Sequence, residues 1–181
     1  MKMSDAKRAA REWVEANTAG WPGLRAAHFV GGVTGMADDA SFPADKDVDL
    51  HLVFAEGSPE LERAGLFAGL LDAVHGGVRI EAGVESIADD RSAEAVLANP
   101  EIAHHLLGES IVHDSTGLLA GLQREVRRGY PRRRWVHARL EHERNGLAGA
   151  LALLPMARQA HGASGEVNLF GYTTTFATAA L

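Results

Sequence analysis

His28-Phe29-Val30-Gly31-Gly32-Val33-Thr34-Gly35, followed after a polar connection by Asp47-Val48-Asp49-Leu50-His51-Leu52-Val53-Phe54, is the stretch from which the rest of the chain is read. Side chains alternate across a strand, so two carboxylates two apart at the head of an apolar run project from one face. Beyond Asp49 the run is near-continuously apolar, the pattern of a strand covered on both faces in an α/β layer. The glycine pair closes a shorter apolar run, Leu24 to Val30. There, backbone without Cβ atoms can approach a ligand closely and offer N–H groups to phosphate oxygens. A phosphate cradle followed by a paired-acid strand points to metal-assisted phosphoryl transfer.

Val30-Gly31-Gly32 with Asp47-Val48-Asp49 resembles the signature of the nucleotidyltransferase superfamily with the DNA polymerase β-like fold. That signature is an apolar residue, Gly, Gly or Ser, a short connection, and Asp-x-Asp opening a strand. The resemblance covers roughly the first two thirds of the chain. It implies an α/β (α+β) core over residues 1–114, a mixed β-sheet flanked by helices, followed by a C-terminal helical region over 115–181. It also implies a third acid on the next core strand, for which Val78-Arg79-Ile80-Glu81-Ala82 offers Glu81, with Glu85 in reserve.

The resemblance makes Asp47, Asp49 and Glu81 the catalytic and metal-holding residues, for two Mg²⁺ ions. Gly31, Gly32, Thr34 and Lys46 become the nucleotide-binding ones. The implied reaction is attack by an acceptor hydroxyl on the α-phosphorus of a nucleoside triphosphate, with ATP the expected donor and pyrophosphate leaving. Glu81 would complete metal coordination or accept the acceptor's proton, and both roles stay open. Similarity to the aminoglycoside and lincosamide nucleotidyltransferases suggests a hydroxylated small-molecule acceptor. Modification of protein or tRNA, as by toxin–antitoxin-type nucleotidyltransferases, is the alternative enzymatic reading, and a degenerate nucleotide-binding member is the non-enzymatic one. Two departures stand out: Gly32 where many members carry Ser, with Thr34 the substitute hydroxyl, and no arginine between Val33 and Lys46.

Bulk properties bound these readings. A chain of 181 residues, 46% apolar, can bury a proper core without staples. The absence of cysteine excludes disulfides, thiolate-bound zinc and cysteine nucleophiles, and fits a cytoplasmic expectation. The charged N-terminal segment is not a secretory signal, and no apolar stretch reaches membrane-spanning length. A net charge of −6 argues against a double-stranded DNA binder. One basic patch, Arg124, Arg127, Arg128 and Arg132 to Arg134 around Tyr130-Pro131, reads either as a triphosphate or RNA contact or as a solvated helix face.

The remaining elements follow from periodicity and punctuation. A first helix is expected from a cap near Ser4 to Gly20. A second starts at Ser58-Pro59-Glu60 and carries Phe67, Leu70, Leu71 and Val74 on one face as far as Gly76-Gly77. Val78 to Ile87 form a strand, Ser92 to Leu97 and Pro100 to Leu107 short helices, and Ile111 to Asp114 an edge strand. Asp114 then either caps the next helix or joins the site. Helices follow from Thr116, broken at Gly129-Tyr130-Pro131, with Val136, Leu140, Leu147, Leu151 and Leu154 as the later stripe. The apolar end, Val167 to Leu181, lacks a stop signal. Either more protein follows, or it packs on neighbouring helices or on a second subunit, as in a homodimer.

Two other metal readings are weaker. Asp45, Asp47, Asp49 and Glu56 match positions of an EF-hand calcium loop, but Leu50 stands where that loop needs glycine. Nine histidines include His104-His105, His137 and His142, yet no zincin spacing is present.

Overall fold

The computed structural model describes residues 1–66, 70–87, 92–149, 151–153 and 155–156. They fall into two compact units, one of residues 1–96 with 101–128, the other of 97–100 with the chain from 129 onward. The first unit runs α1 (Met3–Asn17), β1 (Leu24–Phe29), β2 (Asp47–Phe54), α2 (Pro59–Leu66), β3 (Leu70–His75), β4 (Val78–Ser86), α3 (Ala93–Ala98), α4 (Pro100–His105), β5 (Ile111–Asp114) and α5 (Leu118–Gly129), the ends of α3 and α4 reaching into the second. Its sheet has the order β3-β4-β2-β1-β5. Only β2 and β4 are parallel; the other three pairs are antiparallel. The mixed sheet with flanking helices is the α+β architecture expected from the sequence.

One face of this sheet is the core. Val48, Leu50, Leu52 and Phe54 of β2, Val78, Ile80 and Ala82 of β4, and Ala27 and Phe29 of β1 pack there against Met3, Ala6, Ala10 and Val14 of α1. Alanines at the contact let the helix approach the sheet closely, and Trp13, Trp21 and Phe54 close its end in successive edge-to-face contacts at 5.3 and 6.3 Å. Helix α1 begins one residue before Ser4, because its leading N–H groups find another partner. Met3 and Ser4 donate to the carbonyls of Ala40 and Asp38, each at 2.9 Å. The polar connection before β2 is thereby docked on α1, and Lys7 holds Asp38 at 2.8 Å.

The second expected helix is half right. It starts at Pro59 with the Ser58 hydroxyl accepting the Leu61 N–H at 3.4 Å, but it does not run to Gly76. Leu70–His75 is instead an edge strand that turns back into β4 through Gly76-Gly77, whose φ values of 57° and 77° make a hairpin turn. Leu71 and Ala73, two apart, touch the core, while Val74 is 71% exposed. Four apolar residues fit either period, and glycines that look like a helix stop are equally a hairpin signal. Phe67 lies outside the described residues.

The EF-hand spacing also dissolves. With Asp47–Phe54 extended, Asp47 and the last strand residue stand about 23 Å apart, too far for one ion to gather.

The second unit holds a further helix, α6, over residues 133–149. Arg139 is buried in it, its guanidinium 3.9 Å from the Tyr130 ring centroid and donating to the carbonyls of Tyr130 at 2.7 Å and Leu97 at 3.2 Å. Val136 and Leu151 of the expected apolar stripe are exposed; Leu154 and the segment from Val167 lie outside the described residues. Among the described residues no helix is long and apolar enough to cross a membrane.

Candidate active site

The face opposite the core carries the polar side chains, and strand register sets their order. Parallel pairing puts Asp47 beside Arg79, Asp49 beside Glu81, His51 beside Gly83 and Val53 beside Glu85. The β3–β4 hairpin puts Asp72 on the other side of Glu81, and antiparallel β1 puts His28 beside His51. Asp72, Glu81 and Asp49 thus form one row across three strands. Glu81 and Asp49 line a cleft of about 300 Å³ together with Val30, Gly31, Leu50, His51 and Gly83. Glu81 also borders a second cleft of about 350 Å³, with Asp47, Asp72 and Arg79 in its wall.

The turn after β1 is built around the acid row. The Val30 N–H donates to the Asp49 carbonyl at 3.1 Å, and the chain then enters a 3-10 turn, Gly31–Thr34. Gly31 has φ of +61°, and a Cβ there would lie 2.5 Å from Asp49 Oδ2, so only glycine fits on both counts. Its N–H donates to Nε2 of His105, on α4, at 3.1 Å. Gly32 is exposed, with open space where a Cβ would stand. Thr34 Oγ1 donates to the Gly31 carbonyl at 2.8 Å, tightening the turn.

The acids repel one another. Burial raises the Asp49 carboxyl above its ordinary range, and the charges of Asp47 and Glu81 raise it further; Lys46 and His51 pull the other way. Arg79 stands 3.8 Å from Asp47. Carboxylate oxygens sharing a face, with repulsion left unrelieved, suit a hard divalent cation, and Asp47, Asp49 and Glu81 fit Mg²⁺ by donor chemistry. Glu85, the reserve acid, is engaged elsewhere, its Oε1 lying 2.8 Å from His51 Nδ1. Burial pushes the Glu85 carboxyl up, but the hydrogen bond and charge of His51 more than reverse this and leave it below its ordinary value.

The sequence reading passed over His28 and His51, although both lie in the stretch on which it rests. His28 is fully buried, its ring edge-on to His51 with centroids 5.4 Å apart. Burial, then the charge of His51, lowers its pKa to about 4. His105 also falls to about 4, first through burial and then through His51. The signal was available, since the alternation that pairs Asp47 with Asp49 brings His51 next onto the same face.

Of the other residues singled out, Asp114 Oδ2 accepts the Ala120 N–H at 2.9 Å, in the first turn of α5. The arginines divide between the units, Arg124, Arg127 and Arg128 in the first and Arg132 to Arg134 in the second. Arg127 donates to the carbonyls of Leu107 at 3.1 Å and Gly108 at 3.2 Å, Arg128 pairs with Glu125, and Arg134 lies 4.6 Å from the Trp135 ring centroid.

No family model and no curated protein sequence matches this chain. Among solved structures the chain is similar to a nucleotidyltransferase-like protein from Exiguobacterium sibiricum, with a TM-score of 0.45 and 13% identity over 96% of this chain and 54% of that one. The chain spans about half the length of that protein.

Proposed function

We propose that this chain is a nucleotidyltransferase that moves a nucleoside monophosphate from a nucleoside triphosphate, ATP being the expected donor, to a hydroxyl of a small-molecule acceptor. One observation carries the reading: Asp49 and Glu81 stand side by side on parallel strands, with Asp47 two residues away on the same face, against a glycine turn that has no room for a side chain. Asp47, Asp49 and Glu81 would hold Mg²⁺, which when bound neutralises triphosphate charge and the charge that develops during displacement. The acceptor oxygen bonds to the α-phosphorus, the bond to the bridging oxygen breaks, and pyrophosphate carries the electron pair away. Positioning and charge neutralisation dominate such catalysis.

The chain's own groups divide this work. The turn at Gly31 and Gly32 leaves room for phosphate oxygens beside the acids. Lys46, exposed at the end of the loop and acting electrostatically on Asp49, supplies positive charge. Arg79, in the wall of the cleft that holds Asp47, offers the guanidinium that the sequence lacks between Val33 and Lys46. Glu81 is the group within reach of an acceptor proton.

The test is binding of the four nucleoside triphosphates with and without Mg²⁺, and pyrophosphate release against a panel of hydroxylated acceptors. Mg²⁺-dependent binding of a triphosphate with acceptor-dependent release is expected. Failure of all four to bind in the presence of Mg²⁺ overturns the reading.

A further inference from the structure

The polar face continues past the acid row into a cluster that nucleotidyl transfer does not use. His28 on β1, His51 on β2 and Glu85 on β4 come from three adjacent strands, and one ligand-capable atom of each lies within 4.8 Å of the other two. We propose that these three side chains form a second metal site, for a borderline divalent ion of the Zn²⁺ class, separate from the carboxylates that suit Mg²⁺. The proposal does not depend on the transferase reading.

Donor chemistry is the first argument. Two imidazoles and a carboxylate are a zinc donor set, whereas Mg²⁺ takes oxygen and keeps its water. Ligand atoms around a four-coordinate zinc with bonds of about 2.0–2.1 Å lie roughly 3.4 Å apart, so side-chain adjustments alone close the cluster onto an ion.

His28 is the second argument. It is fully buried, and its Nδ1 lies 3.3 Å from the Phe29 carbonyl oxygen. With that N–H donated, Nε2 is an unprotonated acceptor, and it has no hydrogen-bond partner. A buried acceptor left unsatisfied is costly, and ligation is a chemistry that uses it. A ring nitrogen bonded to a backbone carbonyl while the other faces the ion is also how ligating histidines are held.

Framework and access agree. All three residues sit on paired strands, and the register of β1 with β5 shifts between Ala27 and His28, an irregularity of the kind that re-aims side chains beside sites. His51 lines the cleft of about 300 Å³ that holds Asp49 and Glu81, which gives an ion a path inward. His105 is not counted as a ligand through Nε2, because that atom accepts the Gly31 N–H.

The experiment needs neither nucleotide nor turnover, so its failure is distinguishable from failure of the transferase reading. The full chain, stripped with chelator and dialysed, is titrated with Co²⁺ while visible d–d absorption is followed, then with Zn²⁺ to displace it. One ion per chain, with the absorption intensity of a four-coordinate site and no competition from excess Mg²⁺, is expected. Glu85→Gln and His51→Asn, at partly exposed positions and checked for folding by circular dichroism, should each weaken the ion by at least about tenfold. Asp49→Asn should leave its affinity unchanged. Weak binding without the four-coordinate spectrum, a site that survives Glu85→Gln, or one lost with Asp49→Asn instead overturns the proposal.

Discussion

The two ends of one sheet face differ in a way their shared strands do not explain. At the head of β2 and β4, Asp47, Asp49 and Glu81 are partly exposed, and their charges oppose one another. Farther along the same strands, His51 and Glu85 pair at 2.8 Å, and His28 beside them is fully buried and held near neutrality. Alternation places both sets on the face; burial decides what each can do. The exposed end stores unrelieved negative charge, fit for a cation and a polyanion together. The buried end satisfies itself in part and presents nitrogen.

Breaking the exposed end should have the largest effect. Asp49→Asn is expected to lower kcat at least about a hundredfold, about 2.7 kcal/mol of activation free energy, and to weaken triphosphate binding only when Mg²⁺ is present. Steady-state kinetics and binding at two Mg²⁺ concentrations check it, and unchanged turnover removes Asp49 from the chemistry. Glu81→Gln sharpens the same end. If Glu81 accepts the acceptor's proton, the acidic limb of the kcat–pH profile disappears. If it only holds the ion, the limb stays and the Mg²⁺ requirement rises.

The buried end should show itself in the pH dependence of stability. His28 and His105 have folded-state pKa values near 4, below the ordinary 6.5, so the unfolded chain takes up protons that the folded one refuses. Their contribution is therefore present above pH 6.5 and lost as the pH falls from 6.5 towards 4, on the order of 3 kcal/mol for His28. Asp49, raised, works in the opposite sense and partly offsets the loss. Urea unfolding between pH 7 and 4 should show a slope that His28→Gln flattens; the same slope in that variant would place its source elsewhere.

The glycines divide where the sequence treats them as a pair. Gly31→Val meets both a positive φ and the Asp49 carboxylate, and should cost roughly 1–3 kcal/mol of stability as well as nucleotide binding. Gly32→Val meets open space, and should stay within about 0.5 kcal/mol in stability while still obstructing phosphate. Thermal melts beside triphosphate titrations separate the two effects. The smallest change is expected at Arg132→Ala, on an exposed position: within about 0.5 kcal/mol in melting and no shift in triphosphate affinity. A several-fold loss of affinity there would bring the basic patch back to the site.

What the sequence made legible was local. Strand β2 was read with its observed bounds, because an acid pair followed by unbroken apolar residues has few other physical solutions. Helix α2 was read at its start, where Ser58 and Pro59 carry chemistry, and misread beyond Leu66, where four apolar residues satisfy two periods at once. The docking of the Asp38–Ala40 backbone on α1 was invisible, since carbonyls satisfying a distant helix end leave no trace in side-chain type. Asp47, Asp49 and Glu81 could be named from the motif. The burial that sets His28 and His105 apart from the other histidines is a property of packing, and composition does not contain it.

The lone parallel pair in the sheet also bears on how the chain reaches its fold. The β3–β4 hairpin closes through two glycines and needs no distant contact, so it can form early. Pairing β2 with β4 must wait for a long loop to close around α2 and that hairpin, and such non-local steps dominate folding time. Glu81 therefore meets Asp49 only when this slow step is complete. A chain arrested before it would hold the third acid on a formed strand, with the acid pair still elsewhere. Recovery of divalent-dependent nucleotide binding during refolding should accordingly track the slowest structural phase rather than the appearance of strand signal.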